Sequence, residues 1–303
     1  MSDFLTIDPK ETATGKFHSF MLGAIAPRPI AFASTLDGQN NINLSPFSFF
    51  NAFGSNPPIL IFSPARRVRD NTTKHTLENA LETKEVVINI CNYSMAEQMS
   101  LSSTEYPKGV NEFEKSGFTM LDSTRVAPPR VKESPASFEC RVNDVIAMGS
   151  EGGAGNLIIC EVLLAHISRS ILDSKDEIDP VKLDAIGRMG GNWYSRANAS
   201  SIFEISKPLT TLGIGVDSIP KHIRLSTILS GNDLGKLGNV EHIPSDNDVK
   251  LFSESKMMVE VKEKCIEDDV RLKTALHQLA KDQLVSNHVD LAWKILLQVS
   301  QTK

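Results

Sequence analysis

Asn43-Leu-Ser-Pro-Phe-Ser-Phe-Phe50 is the stretch on which the reading of this chain turns. Pro46 bars a helix interior, because it removes a backbone donor and clashes with the preceding turn. It also bars a central strand and confines the segment to an edge, a bulge or a bend. Around it, Phe47, Phe49 and Phe50 are interrupted by the small hydroxyls Ser45 and Ser48. Aromatic surface beside short hydroxyls on irregular backbone suits a flat heteroaromatic ligand with polar oxygens. The same residues also fit a bent core strand whose serines satisfy local backbone groups.

Working outward, Ile30-Ala-Phe-Ala-Ser-Thr35 reads as a strand, and Asp37-Gly38 supplies a hairpin turn. The returning strand runs directly into Asn43–Phe50, where Pro46 is expected to bend the chain. Asn56-Pro-Pro-Ile-Leu-Ile-Phe-Ser63 follows as a short buried strand, ended by Pro64. A cation-rich link, Ala65 to Thr76, then becomes helical through Leu77, Ala80 and Leu81, with Thr72 or Thr73 as the expected N-cap. Val86–Ile90 reads as another strand, and helical patterns lie near 94–101 and 111–116.

From Ser137 two long strand-like runs, 138–146 and 157–167, flank the glycine-rich turn 149–155. Adjacent strands joined by such a turn favour antiparallel pairing, hence a barrel or sandwich rather than a doubly wound sheet. Beyond Pro208 the apolar spacing of Leu272, Leu276 and Leu279, then Val289, Trp293, Leu296 and Leu297, is helical. The expected organisation is an arm (1–20), a β-rich body (21–200) and a mostly helical C-terminal extension (201–303).

A chain of 303 residues with 41% apolar and 23% charged side chains can bury a large core as an ordinary globular protein. Its net charge of −5 argues against a broad nucleic-acid surface. No apolar run is long enough for a membrane span and no secretory start is seen, so a cytoplasmic protein without a membrane partner is expected. Cys91, Cys140, Cys160 and Cys265 are dispersed and form no Cys-x-x-Cys pair, so reduced thiols and no metal site are expected.

Chemistry concentrates in the cationic link. Arg66, Arg67, Arg69 and Lys74 stand beside Thr72, Thr73 and Thr76 at a helix start. Cations there oppose the helix macrodipole unless an anion is present. Free amides, cations and hydroxyls together make a phosphate site, although a solvated basic loop has the same composition.

Taken in order, Arg28-Pro-Ile-Ala-Phe32, Ser34-Thr35, Asp37-Gly38, Asn43–Phe50, Asn56-Pro-Pro58, Lys74-His-Thr76 with Asn79, and Val87-Ile-Asn89 resemble the flavin-reductase-like, FMN-binding split-barrel family over roughly residues 20–200. The family commonly has Lys-Asp-Thr where this chain has Lys74-His75-Thr76, which makes the local charge pH-dependent. The resemblance implies a mainly β, six-stranded-type Greek-key split barrel with flanking helices. It implies a homodimer with FMN near the interface. By position, Asn43, Ser45, Pro46, Phe47, Ser48 and Phe49 would line the isoalloxazine and ribityl chain. Ser63, Arg69, Lys74, His75 and Thr76 would serve the phosphate.

Gly187-Arg-Met-Gly-Gly-Asn-Trp-Tyr194 is similar to a late family segment whose tyrosine can approach flavin or nicotinamide; packing at the barrel end is the other reading. His166 reads as a core or interface histidine. The implied activity is flavin reduction by NAD(P)H, with no side chain named as a general acid or base and a partner oxygenase or other electron acceptor downstream. A flavoredoxin-like FMN electron carrier without its own nicotinamide site is the alternative.

Overall fold

A computed structural model of the chain describes residues 3–205, 208, 210–265 and 268–301. The chain divides into two compact units, Met1–Phe203 and Glu204–Lys303.

In the first unit the strands are β1 (Ala31–Leu36), β2 (Ile42–Phe47), β3 (Phe50–Ser55), β4 (Pro58–Phe62), β5 (Glu85–Ile90), the short β6 (Met120–Leu121) and β7 (Arg130–Val131), the long β8 (Ala136–Ala147) and β9 (Asn156–Ile167), and the hairpin pair β10 (Ile186–Arg188) and β11 (Tyr194–Arg196). Among the described residues, seven of them form one sheet in the order β2-β1-β5-β8-β9-β4-β3. All six ladders of that sheet are antiparallel, as the glycine turn between β8 and β9 led us to expect.

The expected six-strand count gives way to seven, and the sheet is not closed by a ladder between β2 and β3. Those two edge strands are nevertheless separated in sequence only by Ser48 and Phe49. Both ends of the sheet therefore meet at that dipeptide, and the sheet must curl to allow it. Register shifts in β8–β9 at Glu139/Cys140 and Val142/Asp144 supply local bends.

All six residues of β1 are buried because both of its faces are covered. Ala31 and Ala33 join Phe62, Leu77, Ala80, Ile88 and Ile158 in the inner core. Phe32 and Ile30 point the other way, into a layer with Leu44, Met95, Met99 and Phe113. This second layer is built by α3 (Ala96–Leu101) and α4 (Glu112–Ser116), while α2 (His75–Thr83) covers the inner core. The unit opens with α1 (Thr14–Ala24), none of whose residues is buried.

Two local expectations are corrected and the expected turn at Asp37-Gly38 is refined. Pro46 does not bend the chain: it sits in regular register opposite Phe32, tolerated because β2 is an edge strand, and the corner comes two residues later. The β1–β2 turn takes its left-handed residue at Asn40 (φ 66°), and the Asp37 carboxylate holds it by accepting from the Gln39 and Asn41 amides. Helix α2 starts later than expected, with Lys74 as N-cap and no side-chain capping bond; the Thr73 hydroxyl instead donates to Glu78 at 2.6 Å.

In the second unit the helices are α6 (Lys221–Arg224), α7 (Gly231–Gly238), α8 (Asp246–Ser253), α9 (Lys256–Glu263), α10 (Asp269–Val285) and α11 (Val289–Leu296), after the single turn α5 (Pro180–Leu183) in the first. Capping boxes at Ser230/Asp233 and Ser245/Asp248 fix the starts of α7 and α8. Leu276, Ala280 and Leu284 present one face of α10 to a core centred on the fully buried Trp293, whose indole donates to the Leu237 carbonyl at 3.1 Å.

His277 of α10 is 2% exposed, with Nδ1 2.7 Å from Ser226 Oγ and Nε2 unpartnered. Burial, then the positive charge of Lys273 and the neighbouring His222, lowers its pKa to about 4. The unfolded chain therefore takes up this proton first, so the stability is complete above about pH 6.5 and is lost as pH falls toward 4. Thermal unfolding followed by far-ultraviolet circular dichroism across that window is expected to show a falling midpoint for the helical unit. His277→Gln should flatten the slope; an unchanged slope would remove His277 as its source.

Candidate functional site

The link between β4 and α2 folds around its own arginines. Arg66 grips Asn71, a left-handed residue (φ 56°), through Nε to Oδ1 at 2.6 Å and Nη2 to the carbonyl. Arg67 donates from Nη1 to Thr72 Oγ1 at 2.9 Å and to the Thr73 carbonyl. These bonds set Lys74 and the uncapped first turn of α2 beside strand β2.

Behind that turn lies a buried polar network. Asn43 Nδ2 donates to Thr76 Oγ1 at 2.8 Å and approaches Thr35 Oγ1 at 3.4 Å; Asn79 Nδ2 donates to the same Thr35 oxygen at 3.1 Å. Thr76 Oγ1 already accepts from Asn43, so its own hydrogen is what it has left to give. A small well opens over this network, lined by Asn43, Ser45, Arg67, Lys74, His75 and Thr76, and closed on the far side by Ser102–Tyr106 and Glu112.

The well holds two cations, Arg67 and Lys74, and Glu105 answers them. Glu105 accepts from Lys74 Nζ at 3.0 Å, Arg67 Nε at 3.0 Å and Arg69 Nη2 at 2.6 Å. The Lys74 and Arg67 bonds hold its pKa down to about 2. Burial, with the nearby Arg67, Lys108 and Lys74 charges, outweighs Glu78 and lowers the pKa of His75. The histidine thus contributes little charge near neutrality, and the lysine and arginines supply it. Glu112 is buried, accepts from the Leu44 amide at 3.0 Å, and is pushed up by that burial.

Adjoining the well, and sharing Ser103 with it, is a cavity of about 360 Å³. That lies within the size range of small-molecule sites. Ile30, Pro46 and Ser48 form one wall, Met99 and Ser100 of α3 another, and Arg188, Asn192 and Tyr194 of the β10–β11 hairpin a third. The Arg188 guanidinium lies over the Tyr194 ring at 4.6 Å. Arg28, only 6% exposed, ties these walls together. It donates to the Leu22 and Ile25 carbonyls at 2.6 Å, to the Met189 carbonyl at 3.0 Å and to Ser48 Oγ at 3.4 Å.

Strand parity sorts the opening segment. Phe47 turns inward and packs on Phe62 with ring centres 5.5 Å apart, and Phe50 packs against the same core. Leu44 joins the outer layer, and Pro46 and Ser48 reach the cavity. Phe49 sits at the corner, 37% exposed, near His18.

Of the expected phosphate group, Lys74, His75 and Thr76 come together in the well with Asn43 and Ser45. Ser63 is elsewhere: it is buried, its hydroxyl accepts from the Asn156 amide at 3.1 Å, and its own amide donates to the Phe49 carbonyl. Arg69 is two-thirds exposed and reaches the site only through Glu105. Sequence reasoning named Arg67 within the cationic link and passed over Glu105, Glu112, Met99 and the hydroxyls of 100–104. The run Ser100-Leu-Ser-Ser-Thr104 after a helical pattern was the available signal.

His166 Nε2 donates to the Glu139 carboxylate at 2.6 Å. Glu139 is fully buried; burial pushes it up, but the Thr124 and Arg125 amides and His166 outweigh this and lower its pKa. Among the described residues no helix is long and apolar enough to cross a membrane, and no group of three His, Cys, Asp or Glu could hold a metal.

Residues 22–180 match the model of the flavin reductase like domain family. An uncharacterized protein of Aquifex aeolicus is 38% identical over 188 residues, which is 62% of this chain and 93% of that protein. In three dimensions the chain is similar to nitrilotriacetate monooxygenase component B from Bacillus cereus, with TM-score 0.63 and 27% identity over 68% of this chain and 100% of that one. The flavoredoxin of Desulfovibrio vulgaris shares the fold at 17% identity and TM-score 0.51, over 61% of this chain and 92% of its own.

Proposed function

From the premise that this chain belongs to the flavin reductase like domain family, we propose that it is an FMN-dependent oxidoreductase in which NAD(P)H is the hydride donor and the bound flavin the acceptor. The observation that carries this reading is the joining of a cationic, hydroxyl-lined well to a ring-sized cavity through Ser103.

The residues fit the group. Lys74, Arg67 and the free hydrogen of Thr76 suit a phosphate dianion. Pro46 and Met99 offer apolar surface to a flat ring, while Ser48, Ser100 and Ser103 offer hydroxyls to its polar edge. FMN would supply the two-electron chemistry, and the protein's task is to hold and orient it. Chemistry of this kind needs placement rather than a general acid or base. Arg28 serves placement by fixing Ser48 and the hairpin that carries Arg188 and Tyr194.

A homodimer belongs to the same proposal. Support comes from the apolar side chains left in the open on the first unit: Phe53 of β3 is 65% exposed, Met148 63% and Trp193 77%. The cytoplasm as location, and an oxygenase or other protein as final acceptor, are carried as parts of this reading.

The test is direct. Purified protein is expected to bind FMN, seen in its visible absorbance, and to oxidise NADH or NADPH when FMN is supplied. Failure to carry or bind FMN would overturn the proposal. Bound flavin that stays oxidised under anaerobic NADH and NADPH would instead mark an electron carrier.

A further inference from the structure

Three cations converging on one carboxylate are more than a surface ion pair. Arg67 has only 14% of its side chain exposed and Lys74 30%, and both point their charge at Glu105 Oε1. Arg69 takes the other oxygen, so the carboxylate is engaged on both sides. Glu105 belongs to the segment Ser102–Tyr106 that closes the well opposite Thr76. It reaches the cations from outside the helix they precede, as a ligand would.

We infer that Glu105 is a resident anion standing in the phosphate position, and that it sets the specificity of the well by having to be displaced. This rests on the reading of the well as an FMN phosphate site. A phosphate monoester brings close to two negative charges and three acceptor oxygens, so it can take over the bonds that Glu105 gives up. The two anions cannot share the cations, because like charges at contact distance repel. Glu105 is 36% exposed along its side chain, so water can receive it when it leaves. A ligand with a neutral hydroxyl end has nothing to exchange, and Glu105 stays. The ligand class admitted is thus a phosphate monoester dianion, and weaker anions are held off by a group already in place.

The ionisation state supports this without carrying it: the cations keep Glu105 charged at every working pH, so protonation does not open the well. Displacement does.

The experiment compares FMN and riboflavin on wild type and Glu105→Gln by fluorescence titration. The amide keeps the shape and removes the charge. FMN is expected to bind roughly tenfold more tightly to the variant, with riboflavin within about twofold of wild type. Unchanged or weaker FMN binding, or equal tightening for both flavins, overturns the inference. A second measurement uses the wild type alone, in case the variant does not fold. Amide hydrogen exchange across 103–108 should rise with FMN and not with riboflavin; no change with FMN overturns the inference equally. If wild type binds neither flavin, the flavin reading itself has failed, which is a separate and recognisable result.

Discussion

Lys74→Ala weakens FMN binding by roughly 10- to 100-fold and leaves riboflavin binding within about twofold, the value of one charge-assisted hydrogen bond lost from the phosphate alone. The lysine is a clean target because its side-chain bond is to Glu105, which Arg67 and Arg69 also hold. It makes no side-chain capping bond at the start of α2, and a cation there opposes the helix dipole. Its removal should therefore cost the fold no more than about 0.5 kcal/mol. Calorimetric or fluorescence titration with both flavins reads the ratio directly. An equal loss for FMN and riboflavin would take Lys74 out of the phosphate role, and a melting point that falls steeply would show that the helix start depended on it.

Arg28→Met should act in the opposite way, through the fold first. The guanidinium is buried, its pKa lowered by that burial and by Arg188, and it serves the end of α1, the corner at Ser48 and the hairpin at Met189 together. Methionine keeps length and apolar bulk but leaves the Leu22, Ile25 and Met189 carbonyls without their donor. A buried carbonyl left without its donor costs about 1–3 kcal/mol, so the three together cost at least about 3 kcal/mol. For a unit of this size that is a fall of roughly 10 °C in melting temperature. Flavin retention should drop with it, since Ser48, Arg188 and Tyr194 are cavity walls. A variant that melts like wild type would mean that the three segments are held by packing and not by Arg28.

What the sequence made legible followed from local signals. The apolar run of β1, the polar turn at Asp37 and the long strands on either side of 149–155 each announce themselves within a few residues. Lys74, His75 and Thr76 were legible as a group because cations at a helix start are locally wrong without a ligand, and they do line one well. What stayed hidden depends on parity and on distance. Phe47 goes to the core and Pro46 to the cavity because of the register with β1, and Phe50 joins the core through its register with β4, neither of which an eight-residue window contains. Pro46 looked like a bend because its donorless backbone suits a bend and an edge strand equally, and only the sheet order separates them. Glu105 follows Lys74 by two helices and a strand, so nothing near it in sequence names its partners.

The corner at Ser48 and Phe49 has a consequence for the protein's life in a crowded cell. It brings the two open margins of the sheet together, and such margins are templates on which foreign strands can add. Both are blunted. One carries Pro46, which offers one donor fewer, and the other is broken by the irregularity between Ala52 and Gly54. The seam between them is thereby made a poor seed for fibrils.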